Sequence, residues 1–154
     1  MEVANLFPET EEILDIDVTE LDTLASQTAV FGRSWRFDFM KGEFVLTPTG
    51  KVAMTDEKDA WVIWCEKAVR TPRYRHIIYS RDYGSELEDL LGNSYSRAVV
   101  ESEVRRMVSE TLLADARTAS VDQFEFSWEQ DACSFSCRIR NVRDEIETIE
   151  SVVI

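Results

Sequence analysis

The chain predicts an α+β fold, an antiparallel sheet packed on two helices. Two regions alternate apolar and polar residues with the period of two that a half-buried strand requires, Trp35 to Phe39 and Phe124 to Ile139. Between them, Ala60 to Ala68 and Val100 to Leu112 repeat apolar residues at three and four, the period of a helix with one buried face. The order is therefore strand, strand, helix, connector, helix and then strands.

The totals bound the class. A length of 154 residues predicts one domain with a core that needs no staples. Contents of 44% hydrophobic and 31% charged residues are those of a soluble globular protein. No apolar run approaches the roughly 20 residues that span a bilayer, and the first residues lack the pattern of a signal peptide, so the expectation is a chain made in the cytosol. A net charge of −13 argues against nucleic acid and anionic membrane as partners, since both require a basic footprint. Much of that charge is local. Residues 1 to 30 carry Glu2, Glu9, Glu11, Glu12, Asp15, Asp17, Glu20 and Asp22 without Lys or Arg, which separates an acidic N-terminal arm from an α+β domain over 31–154. Apolar residues are scattered through the arm without a helical or strand period, so it reads as a segment without its own core, or as one that orders on a partner.

In chain order, Trp35-Arg36-Phe37-Asp38-Phe39 predicts a strand, Met40 to Glu43 a turn and Phe44 to Leu46 the return, a β-hairpin. Thr47-Pro48-Thr49-Gly50 is turn chemistry, and Val52 to Met54 extends the hairpin. Asp56 is placed to cap a helix with Glu57 and Asp59 in its first turn, where the helix dipole favours acids. Thr71-Pro72 ends that helix, because the residue before proline is pushed out of the α region. His76 to Tyr79 predicts a short strand or extended segment, and Glu86 to Leu91 one or two helical turns stopped by Gly92. A longer helix over Ser96 to Leu113 places Val100, Val104, Met107, Val108, Thr111 and Leu112 on one stripe. The second hairpin follows, turning between Glu129 and Ala132, and a last strand covers about Glu145 to Ile154, its alternation breaking near Glu150 to Val152. The apolar end at Val152-Val153-Ile154 predicts an edge that is covered or that adds a strand to a neighbour.

Candidate chemistry is thin. Cys133 and Cys137 lie on one face of a strand but about 13 Å apart, too far for a disulfide. With one histidine and no C-x-x-C the cysteines read as buried thiols; no metal and no cofactor are expected. No nucleophile elbow, phosphate loop or zinc-protease motif is present. A pair of carboxylates could serve a glycosidase, with Glu86, Glu88 and Asp89 the first choice, but so acidic a chain always offers such a pair.

The most unusual stretch is the connector Arg70 to Leu87, R-T-P-R-Y-R-H-I-I-Y-S-R-D-Y-G-S-E-L, basic and aromatic in an acidic chain. Thr71-Pro72 and Tyr83-Gly84 read as backbone devices, which leaves Arg73, Arg75 and Arg81 as exposed candidates for binding acidic protein surfaces, a neighbour's N-terminal arm among them.

This run, preceded by G-R-S-W-R-F-D-F-M-K-G-E-F-V-L-T-P-T-G-K-V, resembles the XkdS-like proteins of contractile phage tails and defective tail-like particles. It is similar, more distantly, to the baseplate wedge family that initiates sheath assembly and is sometimes labelled lysozyme-like. The likeness covers about residues 31 to 150. Thr71, Arg75, Asp82, Tyr83, Gly84 and Leu87 stand at that family's connector positions. Where the family carries Glu-Pro-Arg after its last long helix, this chain reads Asp115-Ala116-Arg117, without the proline. The resemblance implies a structural baseplate protein, with baseplate wedge proteins, sheath subunits and the tail tube as partners and six copies in a ring. It also implies a location in the bacterial cytoplasm during assembly and in the particle thereafter.

On that reading Asp115, Arg117, Arg73, Arg75, Arg81 and Tyr83 meet the wedge core, and the sheet edges with Val152 and Val153 meet sheath by strand exchange. Two other readings stand beside it: a peptidoglycan-cleaving baseplate enzyme using carboxylates near Gly84, and an isolated binding module without a ring.

Overall fold

Residues 29–90 and 92–153 are described by the computed structural model of the chain. The acidic arm up to residue 28, Leu91 at the end of the expected helical turn, and the final Ile154 lie outside them. The architecture is α+β: a three-stranded antiparallel sheet of β5 (Thr118–Glu129), β6 (Ala132–Asn141) and β7 (Ile146–Val152) carries α1 (Glu57–Arg70) and α2 (Arg97–Leu113) on one face. Before the helices come four short strands, β1 (Arg33–Trp35), β2 (Phe37–Asp38), β3 (Glu43–Phe44) and β4 (Met54–Asp56).

The sheet forms where alternation is strongest. Cys133, Phe135, Cys137 and Ile139 of β6 all point inward and are at most 3% exposed, while the serines and arginines between them face out. Register follows from that face: Phe126 lies opposite Phe135, Trp128 opposite Cys133 and Cys137 opposite Ile149. A shift between Asp122 and Glu125, with Gln123 at φ 51°, marks a bulge in the outer strand β5. Against this face α2 sets its whole predicted stripe, Val100, Val104, Met107, Val108, Thr111 and Leu112. From α1, Trp61, Cys65 and Val69 join the same core, and the fully buried Trp61 indole donates to Thr118 Oγ1 at 3.0 Å. Burying a side chain of that size contributes roughly 3 kcal/mol, so these contacts hold the two helices to the sheet.

Four expectations need correction. The run Trp35 to Phe39 is not one strand, because the chain changes partner at Arg36. Residues Arg33–Trp35 pair with Met54–Asp56, Phe37–Asp38 pair with Glu43–Phe44, and Arg36 bridges the two ribbons, its N–H donating to Ala53 O and its carbonyl accepting from Val45 N–H. His76 to Tyr79 forms turns rather than a strand; Tyr79 N–H returns to His76 O at 3.2 Å, and among the described residues no neighbouring strand offers a ladder. Asp56 stands at the N-cap of α1 but its side chain makes no capping bond. The last strand keeps its alternation through Glu150 to Val152, because Ser151, small enough to bury, occupies the inward position between Ile149 and Val153.

Thr71 does end α1 in extended conformation, and one 3-10 turn over Leu87–Leu90 precedes Gly92. Near the sheet's far turn Asn141, wholly buried, accepts at Oδ1 from the N–H groups of Arg143 and Glu145 and donates to the Glu145 carboxylate, so it closes the β6–β7 turn.

Candidate functional site: a cleft at the foot of the connector

The connector between the helices is closed at its root by backbone. Arg73 N–H donates to Ser85 O and Ser85 N–H to Thr71 O, so the two ends of the loop run side by side. Ser85 Oγ donates to Val69 O at 2.6 Å, and Thr71 Oγ1 to Lys67 O at 2.6 Å, which satisfies carbonyls at the end of α1 that have no helical partner. Gly84 makes this closure possible: its φ is +100°, and a Cβ there would stand 2.7 Å from Thr71 O.

Arg73 is part of the closure, which corrects its reading as an exposed candidate. Its side chain is 7% exposed; Nε donates to Gly84 O at 3.0 Å, and Nη1 lies 2.7 Å from Glu110 and 3.5 Å from Glu86. Thr111 Oγ1 also donates to Gly84 O, so the connector's root is bolted to α2. The bond from Arg73 holds the Glu110 carboxyl below the usual glutamate range. Arg75 and Arg81 do face solvent, Arg75 paired with Glu88 at 3.1 Å.

Beyond the root the loop is braced by aromatic rings. Trp64 of α1 meets Tyr83 edge to face at 5.7 Å between centroids, Tyr83 meets Tyr79 at 4.6 Å, and Tyr79 meets His76 at 5.9 Å. Burial raises the Tyr83 hydroxyl above its usual range. The ladder holds the two turns of the tip in place and leaves Ile77 and Ile78 outside, 102% and 85% exposed.

At the foot of the ladder lies a cleft of about 640 Å³, walled by Trp64, Tyr83, Asp82, Ala29, Val30 and the loop Ala114 to Arg117. Here the structure brings together Tyr83 and Asp115 with Arg117, which belong to separate stretches of sequence. Asp115 and Arg117 grip each other: Arg117 Nε and Nη2 donate to the two carboxylate oxygens at 2.8 and 2.6 Å. The guanidinium also donates to Phe31 O at 3.0 Å and stands over Trp64 at 5.5 Å. With side chains only 14% and 12% exposed, Arg117 and Asp115 shape the cleft from within and offer little surface of their own.

Arg75, Arg81 and the last strand lie outside this cleft. Val152 is 64% exposed on the outer face, whereas Val153 is 8% exposed, packed in the core and bonded through its N–H to Cys133 O, so only Val152 is accessible. Glu86 and Glu88 are each held by an arginine, the reverse of the apolar seat that raises a catalytic acid. All three cysteines are buried, and burial pushes the Cys137 thiol up to about 12 and the Cys65 thiol further. Among the described residues no cluster suited to a metal ion is found, and no helix is long and apolar enough to cross a membrane.

Residues 33–144 match the family model of the contractile injection system sheath initiator. The chain belongs to that family. A curated relative, "Phage-like element PBSX protein XkdS" of Bacillus subtilis (strain 168), is 33% identical over 87 residues, 56% of this chain and 61% of that protein. The match thus spans less than two thirds of the relative's length. The family's description is that of a contractile injection system, and the matched span takes in the connector, the cleft loop Ala114 to Arg117 and most of the sheet.

Ser85 and Asn141 are buried polar side chains satisfied by distant backbone or by a turn, and nothing in their spacing marks them, whereas Thr111 stands on the helical stripe and only its bond to Gly84 O goes unmarked. Gly84 is legible in the sequence by its place after a tyrosine at the end of a basic loop.

Proposed function

We propose that this sheath initiator, through residues 31–154 as one unit, joins the baseplate wedge to the first ring of sheath in a contractile tail or tail-like particle. The observation that carries the reading is the sheet: among the described residues β5 and β7 each have one side without a strand partner, and β5 runs for twelve residues. Unpaired backbone donors and acceptors on such an edge are completed by a strand from another chain, the geometry of β-augmentation. Sheath subunits are the proposed source of that strand. At β7 the edge is partly taken, because Arg70 donates to Glu150 O at 3.2 Å, so Val152 beyond it is the accessible end.

The cleft is the proposed seat of the helical wedge core. Its floor is aromatic and its walls include alanines, with Asp82 exposed at the rim, which suits a helix presenting small apolar residues and a basic flank. Arg117 acts by shape, while Asp82 acts by charge; Arg75 and Arg81 face further acidic protein surface. Six copies around the tail tube are the proposed arrangement, built by a heterologous interface that closes on itself. The protein is proposed to be present in the bacterial cytoplasm during assembly and in the baseplate afterwards, without a catalytic role or contacts to nucleic acid or membrane.

Electron microscopy of particles produced without this protein tests the reading: tubes without ordered sheath, or no baseplates, are expected, and normally sheathed tails overturn it. A pull-down with wedge proteins tests the cleft. Asp82→Lys and Arg117→Ala are both expected to lose retention, and retention by the folded Asp82→Lys protein removes the cleft from the contact.

A further inference from the structure

The tip of the connector exposes two isoleucines that nothing among the described residues covers, in a loop carrying Arg75, His76 and Arg81. Isolated exposed apolar residues are ordinary, but these two are presented by a braced scaffold. The rings of Trp64, Tyr83, Tyr79 and His76 form a continuous ladder beneath them, and Tyr79 N–H and Tyr83 N–H close successive turns onto His76 O and Ser80 O. A surface held in this way loses little freedom on binding, so it is prepared for an occupant.

The other end of the ladder names that occupant. Ala29 and Val30, where the described chain begins, line the cleft beside Trp64 and Tyr83, so the segment before them is tethered at the ladder's foot. Residues 11 to 24 of that segment interleave Ile13, Leu14, Ile16, Val18, Leu21 and Leu24 with Glu11, Glu12, Asp15, Asp17, Glu20 and Asp22. No Lys or Arg occurs in the first 28 residues, while Arg70 to Arg81 carries four arginines and no carboxylate. Four residues separate Leu24 from Ala29, and five extended steps along the chain reach roughly 17 Å, a span of a few ring widths.

We propose that the acidic segment around residues 11–24 docks on the connector tip of its own chain, its apolar residues on Ile77 and Ile78 and its carboxylates beside Arg75 and Arg81. Tethering favours the chain's own arm over a neighbour's, because a short linker gives an effective concentration in the millimolar range. The inference is independent of the sheath-initiating reading, since it concerns the free subunit.

The test uses the full chain with a nitroxide on Glu12→Cys; the native thiols of Cys65, Cys133 and Cys137 are buried and do not compete for the label. The expected result is that amide NMR signals of residues 75–81 lose more than half their intensity to the label, independent of protein concentration. They recover at about 1 M salt, where the screening length falls to about 3 Å, or in the Ile77→Ser/Ile78→Ser protein. Unaffected signals overturn the proposal. So does equal loss in a mixture in which the label and the observed amides are on different copies, because that places a neighbour's arm on the tip.

Discussion

Arg73 and Arg75 stand two residues apart in the same basic connector, yet the first has 7% of its side chain exposed and the second 63%. Arg73 is gripped by Glu110, Glu86 and the Gly84 carbonyl; Arg75 meets one exposed glutamate. The same contrast extends along the loop. Its root, from Thr71 to Arg73 and from Gly84 to Ser85, is a piece of the fold, closed by backbone bonds and bolted to α2 through Thr111. Its tip, from Tyr74 to Arg81, is surface carried on a ladder of rings. Charge in a sequence therefore does not say whether an arginine recognises or builds, because a guanidinium supplies several donors that a chain can spend on its own carbonyls.

Substitutions can break or sharpen this contrast. The largest effect is expected at Gly84. Alanine there puts a Cβ 2.7 Å from Thr71 O at a φ of +100°, so the loop ends must separate; a loss of about 3 kcal/mol is expected, lowering the melting temperature by roughly 10 °C. A thermal melt within 2 to 3 °C of the parent, about the shift of 1 kcal/mol, shows that the root is not a fixed closure. Arg73→Ala comes next, with about 2 kcal/mol lost because carboxylates and a buried carbonyl lose a charged donor at once.

That loss carries a pH signature. The Glu110 carboxyl is held below its unfolded value by Arg73, so its contribution is present above the usual glutamate range and disappears as pH falls through the lowered folded value. The gap in melting temperature between parent and Arg73→Ala is expected to narrow on acidification, and a gap that widens contradicts the sign. The smallest effect belongs to Arg75→Ala, a solvent-screened pair, expected within about 0.5 kcal/mol of the parent.

What sequence reasoning could see divides along similar lines. The sheet was legible because Cys133, Phe135, Cys137 and Ile139 repeat the alternation that the inner face demands, and α2 because its stripe of six residues matches one face of a helix. The strands of two and three residues before α1 were legible only as one hairpin, since alternation over Trp35 to Phe39 cannot show that Arg36 changes partners. His76 to Tyr79 reads as extended because it holds isoleucines and a tyrosine, residues that favour strands, and forms turns because among the described residues no edge lies beside it.

The cleft was half legible. Tyr83, Asp115 and Arg117 were each singled out, two of them through a family likeness, but their meeting depends on how α1 and α2 pack. Val153 shows the same limit: an apolar end reads as sticky, and only the register of β7 against β6 tells that its side chain turns inward while Val152 turns out.

The fold is proposed to present a sheet edge to sheath and the foot of the connector to the wedge. A map of the assembled baseplate at side-chain resolution tests it most directly. It is expected to show a strand from a sheath subunit lying along β5 or β7 and a wedge helix seated between Tyr83 and Asp115. A map in which both edges and the cleft face solvent, with the subunit held by other surfaces, would contradict it.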